Sequence, residues 1–321
     1  MSYLSTKSKL LITSLATAVL LWTPSLMADT LSVNIGFWPG DLEPELEERY
    51  FLDDLVNGIT LDRIDLEWSG KNTNTIYPLG LEYRKQIGPG DLMLRGNYTQ
   101  YNPEYKYNAI TMPSAVTIGS LLDYSINDTE FEAGYRFHLL GNTLFLTPKA
   151  GYRRHSKAFF RDEFTIGTGT YGKTIDSNFN ASTSGLYAGF DFQYYFTKEF
   201  SVVGSYILAS GAWSGTATQD LINASISTTT GTSFTYESAT SGYELSIARW
   251  NLGLQYDLDK NWHFQIGLRE EVLTQSYPGY INLAFGTGGA PYTVNEILTD
   301  YIFYSQEIDQ TKGLAYFAIS Y

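Results

Sequence analysis

The chain contains no cysteine, which excludes disulfide frameworks, thiolate metal sites and cysteine nucleophiles. Its only histidines are His138, His155 and His263, so a multi-histidine metal centre is not expected. Basic residues are scarce: 21 Lys and Arg stand against 34 Asp and Glu, a formal net charge of −13. Nucleic-acid partners need clustered Lys and Arg to meet phosphates, so none is expected. Beyond the first 28 residues no stretch reaches 18 consecutive apolar residues, so helical membrane spans are excluded there. Walker A, dinucleotide-fingerprint and EF-hand patterns are all missing, and no cofactor is expected.

What the chain does have is 26 Tyr, 18 Phe and 29 Gly among 321 residues. Aromatic, glycine-rich chains of low charge favour β-structure. Lys7 and Lys9 precede the uncharged, mostly apolar stretch 10–22, and a small residue follows at Ala28. That arrangement predicts a secretory signal over residues 1–28, cut after Ala28. Removing it takes away two positive charges, and −13 − 2 = −15 for the mature chain.

Period-two alternation dominates the remainder. Leu186, Ala188, Phe190, Phe192, Tyr194 and Phe196 fall on one face of an extended chain, with Tyr187, Gly189, Asp191, Gln193 and Tyr195 on the other. Residues 130–139 and 244–258 repeat the pattern. Ten strands are expected, at about 59–68, 79–87, 91–102, 122–139, 143–155, 183–197, 200–210, 243–258, 262–275 and 309–321. Twelve strands and eight are the alternatives. Short turns at Gly88–Asp91, Gly141–Asn142, Thr197–Glu199 and Asp259–Asn261 alternate with long polar connectors at about 69–78, 103–121, 156–182, 211–242 and 276–308.

Alternating segments of about ten residues, joined by short turns on one side and long loops on the other, resemble a bacterial outer-membrane β-barrel. The end of the chain strengthens the likeness. Phe317, Ile319 and Tyr321 form an alternating aromatic C-terminus similar to the signal read by the barrel-assembly machinery. The resemblance covers residues 58–321 and implies an all-β, antiparallel transmembrane barrel in the bacterial outer membrane. The expected organisation is signal 1–28, a periplasmic N-terminal segment 29–57, and the barrel 58–321. The size class is similar to that of the ten-stranded omptin proteases. Omptins use an Asp–His pair facing two acids at the outer rim. No Asp-x-His occurs here, and His138 and His263 lie beside short turns, so those catalytic residues cannot be carried over and no enzyme is expected.

Strand parity assigns the two faces. Arg63, Asp65, Glu67, Glu82, Arg84, Arg95, Glu130, Glu132, Arg136, Lys149, Arg153, Asp191, Arg249, Asp257, Arg269 and Glu271 are expected to line the lumen. Their balanced signs predict pairing across it, since unpaired charges in a narrow barrel are costly. Trp68, Tyr83, Tyr98, Tyr135, Tyr152, Trp250 and Trp262 are expected in aromatic girdles at the membrane interfaces.

Residues 44–56 carry helical spacing in a strongly acidic stretch, read as a short helix that caps the barrel from the periplasm or plugs it. The run Arg153, Arg154, His155, Lys157 and Arg161 reads as a basic cluster at the outer rim, suited to lipopolysaccharide phosphates. The connector 276–308 carries Tyr277, Tyr280, Phe285, Tyr292, Tyr301, Phe303 and Tyr304, expected to fold back over the barrel mouth. The expected partners are outer-membrane lipid, lipopolysaccharide and the barrel-assembly machinery, with small polar solutes or a host-surface ligand. The expected function is a narrow porin-like channel for small polar solutes. The alternative is a surface-exposed adhesin, or a structural barrel whose paired charges close the lumen.

Overall fold

The computed structural model describes residues 29–39, 75–76, 78–102, 104–111, 116–168, 171–227, 232–234, 237–259, 262–278 and 308–321. They form strands β1 (Asp29–Pro39), β2 (Thr75–Ile76), β3 (Leu79–Ile87), β4 (Gly90–Tyr101), β5 (Glu104–Thr111), β6 (Val116–Leu139), β7 (Leu144–Thr168), β8 (Tyr171–Tyr195), β9 (Phe200–Ala209), β10 (Trp213–Ser227), β11 (Thr232–Phe234), β12 (Glu237–Asp257), β13 (His263–Ser276) and β14 (Ile308–Ser320). Ten antiparallel staves close a barrel: β1, β3, β4, β6, β7, β8, β9 continued by β10, β12, β13 and β14, which returns to β1. The count agrees with the expected ten. Strands β2, β5 and β11 pair with β1, β6 and β10 and lengthen the wall at the end away from the short turns.

The first stave is not the expected one. Asp29–Pro39 pairs with β3 on one side and β14 on the other, and so closes the barrel. Val33 N donates to Tyr321 O at 2.9 Å and Tyr321 N donates to Val33 O at 3.2 Å. A sheet edge left open in lipid would strand a row of backbone donors and acceptors, so the closing strand is obligatory. Residues 59–68 lie outside the described residues. The N-terminal segment expected over 29–57 is therefore corrected for residues 29–39, which are wall. The chain leaves at Pro39 and returns at Thr75, and these two pair with each other at the rim opposite the short turns. The expected acidic helix over residues 44–56 also lies outside the described residues.

Short turns join β3 to β4, β6 to β7, β8 to β9 and β12 to β13 at one end. Two of them depend on left-handed backbone that favours glycine, at Gly88 (φ 66°) and Gly141 (φ 67°). The staves then run much further than expected. Strands β6, β7, β8 and β12 have 24, 25, 25 and 21 residues. A tilted strand crosses a bilayer in about 10 residues. The segments 156–182, 211–242 and 103–121, expected as loops, are largely strand, and this corrects the connector assignment. The stave formed by β9 and β10 is broken by a bulge at 210–212, where Ser210 N and the Trp213 indole both donate to Leu186 O, at 3.1 and 3.0 Å.

Partway up each long stave the two faces exchange character. Near the short turns, β12 presents Leu252, Leu254, Tyr256 and Leu258 outward and Asn251, Gln255 and Asp257 inward. Higher on the same strand, Tyr243, Leu245 and Ile247 face inward and are buried, while Glu244 and Ser246 face outward. Strand β7 does the same. Leu146 and Tyr152 face out and Arg153 in at the lower level; Phe159 is buried inside at the upper level, where Ser156 faces out. The lower part is built for lipid outside and polar groups inside. The upper part has the sidedness of a water-soluble barrel.

A charged lumen beneath an aromatic layer

The lower lumen holds two linked layers of ion pairs. In the first, Arg95 on β4 reaches three carboxylates: its Nε is 2.7 Å from Glu82 Oε2, and its Nη1 is 3.0 Å from Glu132 and 3.1 Å from Asp191. Arg84 also pairs with Glu82. Lys149 Nζ lies 2.9 Å from Glu132 and 2.8 Å from Asp191. The Tyr187 hydroxyl donates to Glu132 Oε1 at 2.9 Å. The second layer is centred on Arg153, which donates to Asp128 at 2.9 Å and to both Glu271 oxygens at 2.9 and 3.1 Å. Arg249 on β12 crosses to Glu130 on β6 in a two-pronged contact of 2.7 and 3.1 Å. Arg269 completes the layer, 3.2 Å from Glu271. Bidentate pairing of this kind fixes guanidinium and carboxylate planes and compensates part of the desolvation that burial imposes.

Above the charges lies an aromatic layer. Phe159 stacks on Phe179 with ring centroids 4.7 Å apart, and Tyr243 stacks on Tyr277 at 5.3 Å. Tyr124 touches Phe159 at 4.9 Å, and Phe179 meets Tyr277 edge-on at 5.9 Å. Lys157 enters this layer, with Nζ 3.0 Å from the Tyr277 hydroxyl and 5.5–5.8 Å from the centres of three rings. Tyr277 is held from behind, because Gly242 N and Ser241 Oγ both donate to the carbonyl of Pro278.

Alongside the ion-pair layers and below the aromatic layer, a polar cavity of about 500 Å³ runs from His263 and Ser320, at strand ends on the short-turn side, up to Asp128 and Arg153. At its rim Asp91 meets His138 at 2.8 Å and Asp257 meets His263 at 2.7 Å.

Of the residues expected to line the lumen, Glu82, Arg84, Arg95, Glu130, Glu132, Arg136, Lys149, Arg153, Asp191, Arg249, Arg269 and Glu271 all border this cavity. Asp257 is at its rim. Arg63, Asp65 and Glu67 lie outside the described residues. Of the girdle residues, Tyr98, Tyr152 and Trp250 face outward near the level where the faces exchange. Trp250 donates its indole N–H to Glu270 at 2.6 Å there. Tyr135 and Trp262 face outward near the short turns, with Trp262 against Tyr321 at 4.7 Å. Tyr83 lies between the two levels, and Trp68 is outside the described residues. Phe317, Ile319 and Tyr321 share the outer face of the end of β14.

The expected basic cluster is divided by strand parity. Arg153, His155 and Lys157 turn into the lumen and are buried; Arg154 alone of the described side chains faces out. Sequence reasoning also missed Asp128, Lys157 and the aromatic layer as parts of the lumen. Asp128 and His155 form an Asp–His pair at 2.8 Å without being close in sequence, because they stand directly opposite on β6 and β7. The signal for Asp128 was available, since it shares the parity of Glu130 and Glu132.

The family described as "Pom: Protochlamydia outer membrane protein" matches residues 110–280, more than half of the chain. No curated protein matches in sequence. Among solved structures, the outer membrane protease OmpT of Escherichia coli is similar, with 12% identity and a TM-score of 0.41 over 91% of this chain and 93% of that one. The toluene transporter TodX of P. putida shares 9% identity, TM-score 0.36, over 95% and 91%. The toluene transporter TbuX of Ralstonia pickettii shares 11%, TM-score 0.35, over 94% and 90%.

Proposed function

The chain belongs to the Protochlamydia outer membrane protein family and is an outer-membrane β-barrel, and on that premise we propose that it is a narrow channel for small polar solutes. The observation that carries this reading is the polar cavity of about 500 Å³ inside the membrane-facing part of the barrel. It leads from the short-turn end to a constriction whose wall carries both signs of charge. Charged rings at a constriction select among polar solutes by charge and hydrogen bonding while excluding apolar ones. The aromatic layer above is the closed position of the passage. Tyr243 and Tyr277 bridge it from neighbouring staves, and rotation of these two rings opens it.

A second reading, a closed structural barrel whose function resides in its outer loops, is favoured by the density of the pairing. Arg153, for instance, is 1% exposed and touches three carboxylates. Swelling of proteoliposomes in isosmotic glycine or arabinose separates the two. The channel reading expects swelling above protein-free vesicles that falls as solute size rises. Folded, heat-modifiable protein that gives no swelling with either solute contradicts it and leaves the closed barrel.

A further inference from the structure

We propose that the lower cavity is a binding site for a small oxyanion, a carboxylate or phosphate group that enters from the short-turn end. The site stands whether or not the barrel conducts, because it needs only the lower opening.

The first ground is charge. In the lower ion-pair layer Arg84, Arg95 and Lys149 are each in direct contact with one or more of the carboxylates Glu82, Glu132 and Asp191. Arg136, on the same cavity wall, makes no such direct pair. Among the described residues no carboxylate lies within ion-pair distance of it. Its guanidinium donates to the neutral Gln193 Oε1 at 2.8 Å and rests 3.9 Å from the centre of the Phe145 ring. Asp91 stands opposite Arg136 on β4, but its carboxylate engages His138.

The second ground is an unmet donor. Arg84 Nε is buried and, among the described residues, has no hydrogen-bond partner, although the same side chain borders the cavity. A buried N–H left unpaired is costly, and a charged one more so. The third is shape and chemistry. A cavity of this size holds a small organic molecule. Arg136 offers a planar fork stiffened by a ring beneath it, a geometry matched to the two oxygens of a carboxylate or phosphate.

The test is calorimetric titration of the refolded chain in detergent, with inorganic phosphate and with succinate in separate runs against a chloride background. Saturable binding of either anion to one site per chain is expected, and the stronger of the two identifies the group the site prefers. Arg136→Gln should weaken binding about tenfold or more, the scale of one lost charge-assisted hydrogen-bond pair. Arg154→Gln, on the outer face, should leave it unchanged. Gln193→Glu brings an internal carboxylate to Arg136 and should abolish binding while raising the unfolding temperature, which keeps the test informative if Arg136→Gln fails to fold. Absence of saturable binding by both anions to folded protein overturns the proposal. So does binding that is unaffected in both Arg136→Gln and Arg84→Gln.

Discussion

Below the level of Trp250 and Tyr152 the barrel is apolar outside and charged inside; above it, the same staves are polar outside and aromatic inside. The backbone is continuous across this level in β6, β7, β8 and β12, so the difference lies in side chains alone. It marks where the surrounding solvent changes from lipid to water. In lipid the outer face must be apolar, and the lumen can keep its charges only by pairing them. In water the outer face can be Ser, Thr and Asn, and the interior is stabilised by burying rings. The pairing layers and the aromatic layer are thus two solutions to filling one narrow bore.

The largest test of that comparison is Arg153→Ala. It strips three carboxylates of a partner inside the lower barrel and should destabilise by about 3–5 kcal/mol, seen as a large fall in the urea midpoint. A midpoint within error of the wild type would mean that the charges are hydrated instead of paired. Next comes a matched pair on the outer face of β12. Leu254→Lys lies in the lipid band and should cost about 2–4 kcal/mol. Ser246→Lys, two turns of the pleat above the exchange level, should cost no more than about 0.5 kcal/mol. Equal costs would show that the exchange level does not mark the membrane surface. Smaller again, Gly185→Ala would drive a methyl into the Trp213 ring, opposite Arg153 on β7. Overpacking of this kind should cost about 1–3 kcal/mol, read as a lowered melting temperature.

These exchanges also explain what could be read from the chain and what could not. Ten strands were legible because Leu186 to Phe196 and Leu252 to Leu258 alternate with one phase while lipid is outside. At Phe179 and at Ile247, Leu245 and Tyr243 the apolar residues pass to the opposite parity. Runs such as 211–242 then look like polar loop, although the β-branched Thr and Ile that favour strands continue through them. The inner charges of β4, β6, β7 and β13 followed from parity. Their partners did not, because Arg153 to Glu271 and Arg249 to Glu130 join staves 118 and 119 residues apart. The closing strand was misplaced for a similar reason. Residues 31–37 and 59–68 both alternate, and only pairing with β14 identifies β1 as the neighbour of the chain end. The basic run around His155 misled because consecutive residues of a strand point to opposite faces.

The most direct measurement is single-channel conductance of the wild-type chain beside a Tyr243→Ala, Tyr277→Ala double variant in planar bilayers. The proposed channel function predicts that removing the two stacked rings raises the open probability or the step size, since the polar cavity lies beneath them. A double variant that folds, inserts and shows no conductance beyond the wild type would contradict it. The ion-pair layers would then themselves be the seal.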